Sequence, residues 1–216
     1  MTELNFKNSW DDSYKNGDND LIFPSEEIVR LLHKSVFPFL GKAFDGFFSV
    51  LDFGCGAGRN AQIFNPKQYS VVGYDLSEVA IEMASKRFPE YQFTFDQNIL
   101  KSKKYHLVLA DSCLDSMPWS DAISSVANIY GSLHSGGFFV LSLLENDLKR
   151  DRYSGSDSIL VEDEFEKNTV QTYFDQVRIE RLLLPLFKIV SMYKVTHTDA
   201  DGNLIFSRWF ISCQAN

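Results

Sequence analysis

Short apolar runs alternate with amphipathic segments along most of the chain. Five runs are nearly continuous in apolar residues, at 47–53, 69–75, 91–95, 105–111 and 138–144. Continuous apolar character is typical of strands that are buried on both faces of a parallel sheet. Segments 76–88 and 120–133 show helical spacing, and the first has Ser77 as a predicted N-cap and Pro89 as a stop. The pattern predicts parallel strands joined by helices.

The two ends of the chain depart from this alternation. Residues 24–40 predict one helix followed by a turn that is interrupted by proline, and Asp175 is placed to cap a later helix. Residues 145–168 are polar and acidic, which predicts a flexible lid. Residues 186–198 and 203–213 predict two strands joined by a tight Asp-Gly turn, which is an antiparallel hairpin.

Together these elements predict an α/β fold in a single domain spanning residues 1–216. Its core is a single doubly wound, Rossmann-like sheet, mostly parallel, with seven strands and a C-terminal antiparallel hairpin. Residues 1–46 precede the first strand as an N-terminal arm and a helix.

Composition narrows the class of function. The chain has 216 residues, of which 44% are hydrophobic, and this is typical of a globular protein. Its 21 Lys and Arg stand against 29 Asp and Glu, so we expect a small-molecule partner and neither a nucleic acid nor a membrane. The three cysteines and four histidines show no metal-ligand spacing, so no metal is expected. The polar N-terminus does not resemble a signal peptide, which favours a cytoplasmic location.

The first strand leads into the glycine-rich stretch "VLDFGCGAGRN" at residues 50–60. In an open parallel sheet, ligands bind beyond the carboxyl ends of the strands, where this stretch lies. The dinucleotide fingerprint GxGxxG requires a third glycine at the position of Arg59, and the phosphate-loop pattern is also missing. Asp75, at the end of the second strand, can accept both hydroxyls of a ribose. Asp52 would repel a pyrophosphate but could attract an ammonium group.

With these residues the chain resembles the class I S-adenosylmethionine-dependent methyltransferases of the small-molecule type. "LDFGCGAGRN" is similar to the first motif of that family and "VVGYDLS" to the second. "FDQNI" (95–99) is similar to the third, "HLVLADSCLDSMPW" (106–119) to the fourth, and "LHSGGFFVLSL" (133–143) to the segment entering strand five. The resemblance covers about residues 47–145, and it implies S-adenosyl-L-methionine as the cofactor.

The resemblance also implies roles for particular residues. The methionine portion of the cofactor would be lined by Gly54, Cys55 and Gly56, with an indirect contact to Asp52. The ribose hydroxyls would be held by Asp75, and the adenine would be contacted by Leu76, Asp96 and Gln97. The amino-acid end and the substrate would lie near Asp111 and Ser112. Three residues before the first strand would complete the site. Trp10 and Tyr14 would cover the cofactor, and Arg30 would pair with a carboxylate of the cofactor or the substrate.

Methyl transfer is an in-line displacement, so the protein mainly aligns the acceptor and excludes water. A general base helps when the acceptor must lose a proton, and His197 and Asp115 are the candidates. "ADSCLDSMP" stands where an NPPY-type motif would follow strand four, which argues against N-methylation of adenine or of a glutamine amide. The preferred interpretation is O-methylation of a sugar or another small metabolite. The alternatives are an NAD(P)-dependent oxidoreductase and a non-catalytic S-adenosylmethionine-binding regulatory protein.

Overall fold

The computed structural model describes residues 3–43, 47–102, 104–145, 158–162 and 166–216. Its helices are α1 (Glu3–Asn16), α2 (Glu26–Ser35), α3 (Phe37–Ala43), α4 (Glu78–Arg87), α5 (Ile99–Ser102), α6 (Trp119–Ser132) and α7 (Gln176–Leu183). Its strands are β1 (Phe48–Phe53), β2 (Tyr69–Tyr74), β3 (Gln92–Thr94), β4 (Tyr105–Asp111), β5 (Leu133–Leu144), β6 (Ile159–Leu160), β7 (Val170–Gln171), β8 (Phe187–Thr198) and β9 (Leu204–Ala215). Within these ranges, no helix is long and apolar enough to cross a membrane.

Seven strands form one mostly parallel sheet in the order β3-β2-β1-β4-β5-β9-β8. Strand β9 lies antiparallel to both β5 and β8, so the C-terminal hairpin completes the edge of the sheet. The predicted α/β, Rossmann-like fold class is therefore confirmed. Strands β1 and β4 are neighbours although β2 and β3 lie between them in the chain. The strand order reverses at this point, and open α/β sheets bind ligands beyond the carboxyl ends of such strands.

Side chains of the central strands alternate between two hydrophobic layers. Val50 and Leu107 pack in a layer with α2 and α3, whereas Leu51 and Val108 pack in a layer with α6 and α7. Because both faces are covered, successive positions in these strands are apolar, which explains the continuous runs in the sequence.

Both predicted helix caps are present. The Ser77 hydroxyl accepts a hydrogen bond from the backbone N–H of Ala80 at 3.1 Å. The Asp175 carboxylate accepts one from the N–H of Arg178 at 2.8 Å. Each satisfies a donor that the first turn of its helix leaves free.

Two predicted boundaries are wrong. Residues 24–40 do not end in an interrupted turn, because Pro38 is the second residue of a further helix, α3, where the missing N–H is tolerated. Strand β5 begins at Leu133 instead of residue 138, since Leu133 already pairs with Tyr105. The register shifts before Phe138, in a stretch that contains Gly136 with a φ of 73°. A β-bulge therefore lies directly before the apolar run at residues 138–144.

Much of the segment predicted to be a flexible lid, residues 146–157 and 163–165, lies outside the described residues. The part that is described contains β6, which pairs with β7, just beyond the segment, in a small antiparallel sheet. The backbone N–H of Thr172 donates to the carbonyl of Asp115 at 2.8 Å, and that of Trp119 donates to the Ser158 hydroxyl at 3.0 Å. These bonds hold the small sheet beside the turn that follows β4.

Candidate active site

The turn after β1 is built from glycines because its backbone is left-handed at three positions. Gly54, Gly56 and Gly58 have φ values of 74°, 53° and 85°. A Cβ on Gly54 would overlap the Cys113 side chain, and one on Gly56 would overlap the Tyr14 hydroxyl. The backbone conformation and the lack of space both disfavour a side chain here, so neighbouring groups can approach the main chain closely.

Asp75 follows β2 and joins this turn to the start of α4. Its carboxylate accepts hydrogen bonds from the backbone N–H of Gly56 at 2.8 Å and from that of Ser77 at 2.9 Å. Burial raises its pKa, while these N–H donors lower it. The carboxylate is therefore held in one orientation, and Asp75 lines the adjoining cleft together with Leu76.

This large cleft has a volume of about 740 Å³. One wall is α1, which presents Phe6, Trp10 and Tyr14 to the cleft at intervals of four residues. The remaining lining comes from the turns after β1, β2 and β4, from the stretch around α5, and from the beginning of α6. Its members include Gly54, Gln97, Asn98, Cys113, Met117 and Ser125.

Helix α1 is fastened to the start of α4. The Asp11 carboxylate accepts hydrogen bonds from the Ser77 hydroxyl at 2.5 Å and from the Val79 N–H at 3.3 Å. Lys7 pairs with Asp11 at 2.9 Å and with Glu78 at 3.3 Å. These bonds keep the aromatic face of α1 over the cleft.

A smaller cavity of about 240 Å³ adjoins the cleft, since Tyr14 and Gly54 line both. Its walls are the glycine turn, the end of β4, the stretch after α1, and two side chains from far along the chain. The charged residues in its lining are Arg59, Asp111, Glu166 and Arg208.

An ordered network of charges surrounds the smaller cavity. Arg59 pairs with Asp111 at 2.6 Å, and Asp111 also accepts a hydrogen bond from the Ser142 hydroxyl at 2.6 Å. Arg208 donates to Ser142 at 3.2 Å and pairs with Asp115 at 2.8 Å. Both buried aspartates thus have a guanidinium partner, which offsets the free energy of burying their charge.

Asp52, the residue before the last in β1, has no such partner. It is 1% exposed, and neither carboxylate oxygen has a hydrogen-bond partner among the described residues. Burial, with a further contribution from the negative charge of Asp111, raises the pKa of Asp52 to about 7. A buried carboxylate without a hydrogen-bond partner is unfavourable, although Arg59 and Asn60 lower the pKa of Asp52, which lines neither of the two cavities.

The structure brings most of the predicted cofactor residues together. The large cleft is lined by Trp10, Tyr14, Gly54, Asp75, Leu76 and Gln97, and the smaller cavity by Cys55, Gly56, Asp111 and Ser112. Asp52 is buried among Arg59, Asn60 and Asp111, directly before the glycine turn.

Three predicted residues lie apart from these cavities, and a fourth is buried in the charge network. Asp96 is exposed, and its carboxylate accepts hydrogen bonds from the backbone and side chain of Asn98. Arg30 is paired with glutamates of its own helix, α2. His197 is exposed at the end of β8 and stacks on Phe206. Asp115 is 1% exposed and paired with Arg208.

Sequence reasoning missed Arg59, Glu166 and Arg208 as residues of the site. The sequence could have indicated Arg59, because this residue directly follows the last glycine of the turn. Glu166 and Arg208 carried no such signal, since only the folded chain brings β9 and the segment before β7 to the end of β4. Among the described residues, no cluster of three or more potential ligands is arranged for a metal ion.

Comparison with known proteins identifies the class. Residues 24–184 match a family model described as a methyltransferase domain, so the chain belongs to this methyltransferase family. It is an S-adenosylmethionine-dependent methyltransferase, and S-adenosyl-L-methionine is its cofactor. Among curated protein sequences, none matches the chain significantly.

Solved structures share the fold at low sequence identity. An S-adenosylmethionine-dependent methyltransferase from Methanosarcina mazei is 20% identical, with a TM-score of 0.68 over 84% of this chain and 98% of that one. The N-methyltransferase NodS from Bradyrhizobium japonicum, solved with S-adenosylhomocysteine, is 16% identical, with a TM-score of 0.67 over 98% of both chains. The 1,6-didemethyltoxoflavin N1-methyltransferase of Burkholderia thailandensis is 18% identical, with a TM-score of 0.66 over 99% of this chain and 87% of that one.

Proposed function

We propose that the protein transfers a methyl group from S-adenosylmethionine to a small polar acceptor, by O-methylation of a sugar or another small hydroxylated metabolite. The observation that carries this proposal is the smaller cavity, where the glycine turn would take the methionine portion of the cofactor and the remaining lining, with Asn19, Glu166 and Arg208, would take the acceptor. It is only about 240 Å³ in volume, it adjoins the glycine turn, and charged and hydrogen-bonding groups line it. A cavity of this kind favours a compact acceptor that forms hydrogen bonds.

The residues present fit the cofactor. Asp75 would hold the ribose hydroxyls in the large cleft, where Leu76 and Gln97 would lie at the adenine. The bare backbone of the glycine turn would admit the methionine portion. The carboxylate of Asp52, whose oxygens have no hydrogen-bond partner among the described residues, would attract the ammonium of that portion through an indirect contact, such as a bridging water.

The N-terminal arm has a covering role in this proposal. Trp10 and Tyr14 would lie over the adenosine and methionine portions, because α1 already forms one wall of the large cleft. The free thiols of Cys55, Cys113 and Cys213 are consistent with a reducing, cytoplasmic location.

Small-molecule transfer is also the function of one structural relative. The Burkholderia thailandensis enzyme was solved with 1,6-didemethyltoxoflavin and S-adenosylhomocysteine bound together. That acceptor is methylated on nitrogen, so the preference for oxygen in this chain rests on its polar cavity alone.

A screen of acceptors tests the proposal. The protein would be incubated with S-adenosylmethionine and sets of sugars, hydroxylated metabolites, amines and thiols, and S-adenosylhomocysteine and methylated products would be measured by mass spectrometry. Acceptor-dependent formation of methyl ethers is the expected result. Products confined to amines or thiols would overturn O-methylation, and transfer to protein or RNA alone would overturn the small-molecule class.

A further inference from the structure

One carboxylate in the smaller cavity is left unexplained by cofactor binding. Glu166 lines this cavity together with the glycine turn, Arg59, Asp111 and Arg208. We propose that Glu166 is the catalytic residue that takes the proton from the acceptor during methyl transfer, an assignment that rests on the proposed function above.

The position of Glu166 is fixed by its own backbone. Its φ is 56°, a left-handed conformation that is unfavourable for a residue with a side chain. The Glu166 carbonyl accepts hydrogen bonds from the N–H of Thr169 at 3.0 Å and from its hydroxyl at 2.7 Å. The turn is also tied to the small sheet of β6 and β7, because the Val161 N–H, next to β6, donates to the carbonyl of Thr169, next to β7, at 2.9 Å. Strained backbone held by its surroundings is found most often at functional sites.

Glu166 differs from the other carboxylates near the cavity in its partners. Asp111 and Asp115 are each paired with an arginine. Glu166 is instead contacted by the side-chain amides of Asn19 and Gln171, which are neutral. A carboxylate that is already paired with a guanidinium must give up that ion pair when it takes a proton, whereas one held by neutral amides has no ion pair to give up.

The surrounding charges leave Glu166 suited to this step. Its pKa is raised mainly by burial, with a smaller contribution from Asp115, while Asn19, Gln171 and Arg208 lower it. The ionisable groups around the same cavity are Tyr14, Cys55, Arg59, Asp111, Asp115 and Arg208. Burial raises the pKa values of Tyr14 and Cys55 well above their ordinary values, so both stay neutral.

The two candidates predicted from the sequence are placed less well. His197 lines neither of the described cavities and stacks on Phe206. The Asp115 carboxylate accepts hydrogen bonds from the Leu144 N–H and from Arg208, both at 2.8 Å. Of the three, Glu166 lines the smaller cavity and is held there by neutral amides instead of an arginine.

The proton transfer balances without another reactant. The acceptor's heteroatom forms its new bond to the methyl carbon with a lone pair, while the carbon–sulfur bond breaks and leaves its electron pair on sulfur. The hydrogen–heteroatom bond breaks toward Glu166, so one carboxylate oxygen takes the proton and becomes a carboxylic acid. Water then removes that proton after the product leaves.

Binding of two cofactor analogues tests this role without a known acceptor. Sinefungin carries an amine-bearing carbon in place of the methylated sulfur, so it presents an ammonium where the methyl group would be. S-adenosylhomocysteine lacks that group but shares the adenosine and amino-acid portions. The ratio of their dissociation constants therefore isolates interactions at the transfer position, and any effect of Asp52 cancels.

Calorimetric titrations would compare wild type, Glu166→Gln and the control Glu162→Gln, an exposed acid of the same segment that lines neither cavity. At about pH 8 the wild type and the control should bind sinefungin about tenfold more tightly than S-adenosylhomocysteine. The Glu166→Gln variant should lose this preference while keeping its affinity for S-adenosylhomocysteine. In the wild type the preference should also shrink on acidification, as Glu166 becomes protonated.

The possible failures are distinguishable. A preference for sinefungin that survives in Glu166→Gln, or that does not change with pH in the wild type, would overturn the role of Glu166. Equal loss of both ligands in the variant would make Glu166 a structural residue and would also overturn the role. A wild-type protein that binds neither ligand would overturn the proposed function itself.

Discussion

Replacing Asp52 with asparagine is expected to make the ligand-free protein more stable above neutral pH and to weaken its binding of S-adenosylmethionine. The carboxylate of Asp52 is buried without a hydrogen-bond partner in the described part of the chain. Burial and, secondly, the charge of Asp111 raise its pKa to about 7. The ionised form of Asp52 is thus unfavourable in the ligand-free protein. A carboxylate that serves cofactor binding therefore lowers the stability of the folded state.

The magnitude follows from the pKa difference. The unfolded chain releases the Asp52 proton near the ordinary pKa of 3.8, whereas the folded chain keeps it up to about pH 7. Because the folded state binds more protons in this window, its stability falls as pH rises from about 4 to about 7, in total by about 4 kcal/mol. Asparagine carries no charge and lacks this decline, although its buried amide costs about 1–3 kcal/mol at every pH.

Urea unfolding followed by tryptophan fluorescence between about pH 4 and pH 8 measures the effect. The stability of Asp52→Asn relative to wild type should rise by about 4 kcal/mol across this range. The control Glu82→Gln, on the exposed face of α4, should run parallel to wild type. A constant difference in stability between Asp52→Asn and wild type would show that the folded state does not retain the Asp52 proton. The affinity of the variant for S-adenosylmethionine should fall about tenfold, because the ammonium of the cofactor loses its indirect contact with a carboxylate.

Three further substitutions test other parts of the site. Gly56→Ala places a Cβ against the Tyr14 hydroxyl on a left-handed backbone, so the melting temperature should fall by about 5 °C, and an unchanged value would contradict the account. Arg208→Met leaves buried Asp115 without its cation, so urea unfolding at about pH 8 should show a loss of about 3–5 kcal/mol that becomes smaller in acid, and a loss independent of pH would contradict it. Asp11→Ala removes the hydrogen bonds from α1 to α4, so amide hydrogen exchange in α1 should accelerate, and unchanged protection would show that α1 is fastened by other contacts.

Much of the fold follows from local patterns because its elements are buried in a regular way. Strands such as β1 and β4 are covered on both faces, so each appears in the sequence as a continuous apolar run. Ser77 and Asp175 cap their helices through bonds that span three residues, which a short pattern can reveal. The β-bulge before Phe138 was not predictable in this way, because it depends on pairing with a strand about thirty residues earlier.

The candidate site likewise has parts that local sequence patterns predict and parts that depend on long-range contacts. The glycine turn and Asp75 were predictable because the carboxyl ends of parallel strands meet at one edge of the sheet. The pairing of Arg208 with Asp115 was not, since it depends on the register in which Arg208 lies opposite Leu144. Glu166 likewise reaches the cavity only through the small sheet of β6 and β7. Residues that join a site through long-range pairing leave no spacing signal in the chain.

The placement of the cofactor in the large cleft is tested most directly by calorimetric titration of S-adenosylmethionine into wild type and Asp75→Asn. Asp75 lines the large cleft, is held in place by the backbone N–H groups of Gly56 and Ser77, and would hold the ribose hydroxyls. The wild type should bind one cofactor per chain, and the variant should show a dissociation constant raised at least about tenfold. Absence of binding by the wild type, or equal affinity in both proteins, would contradict it.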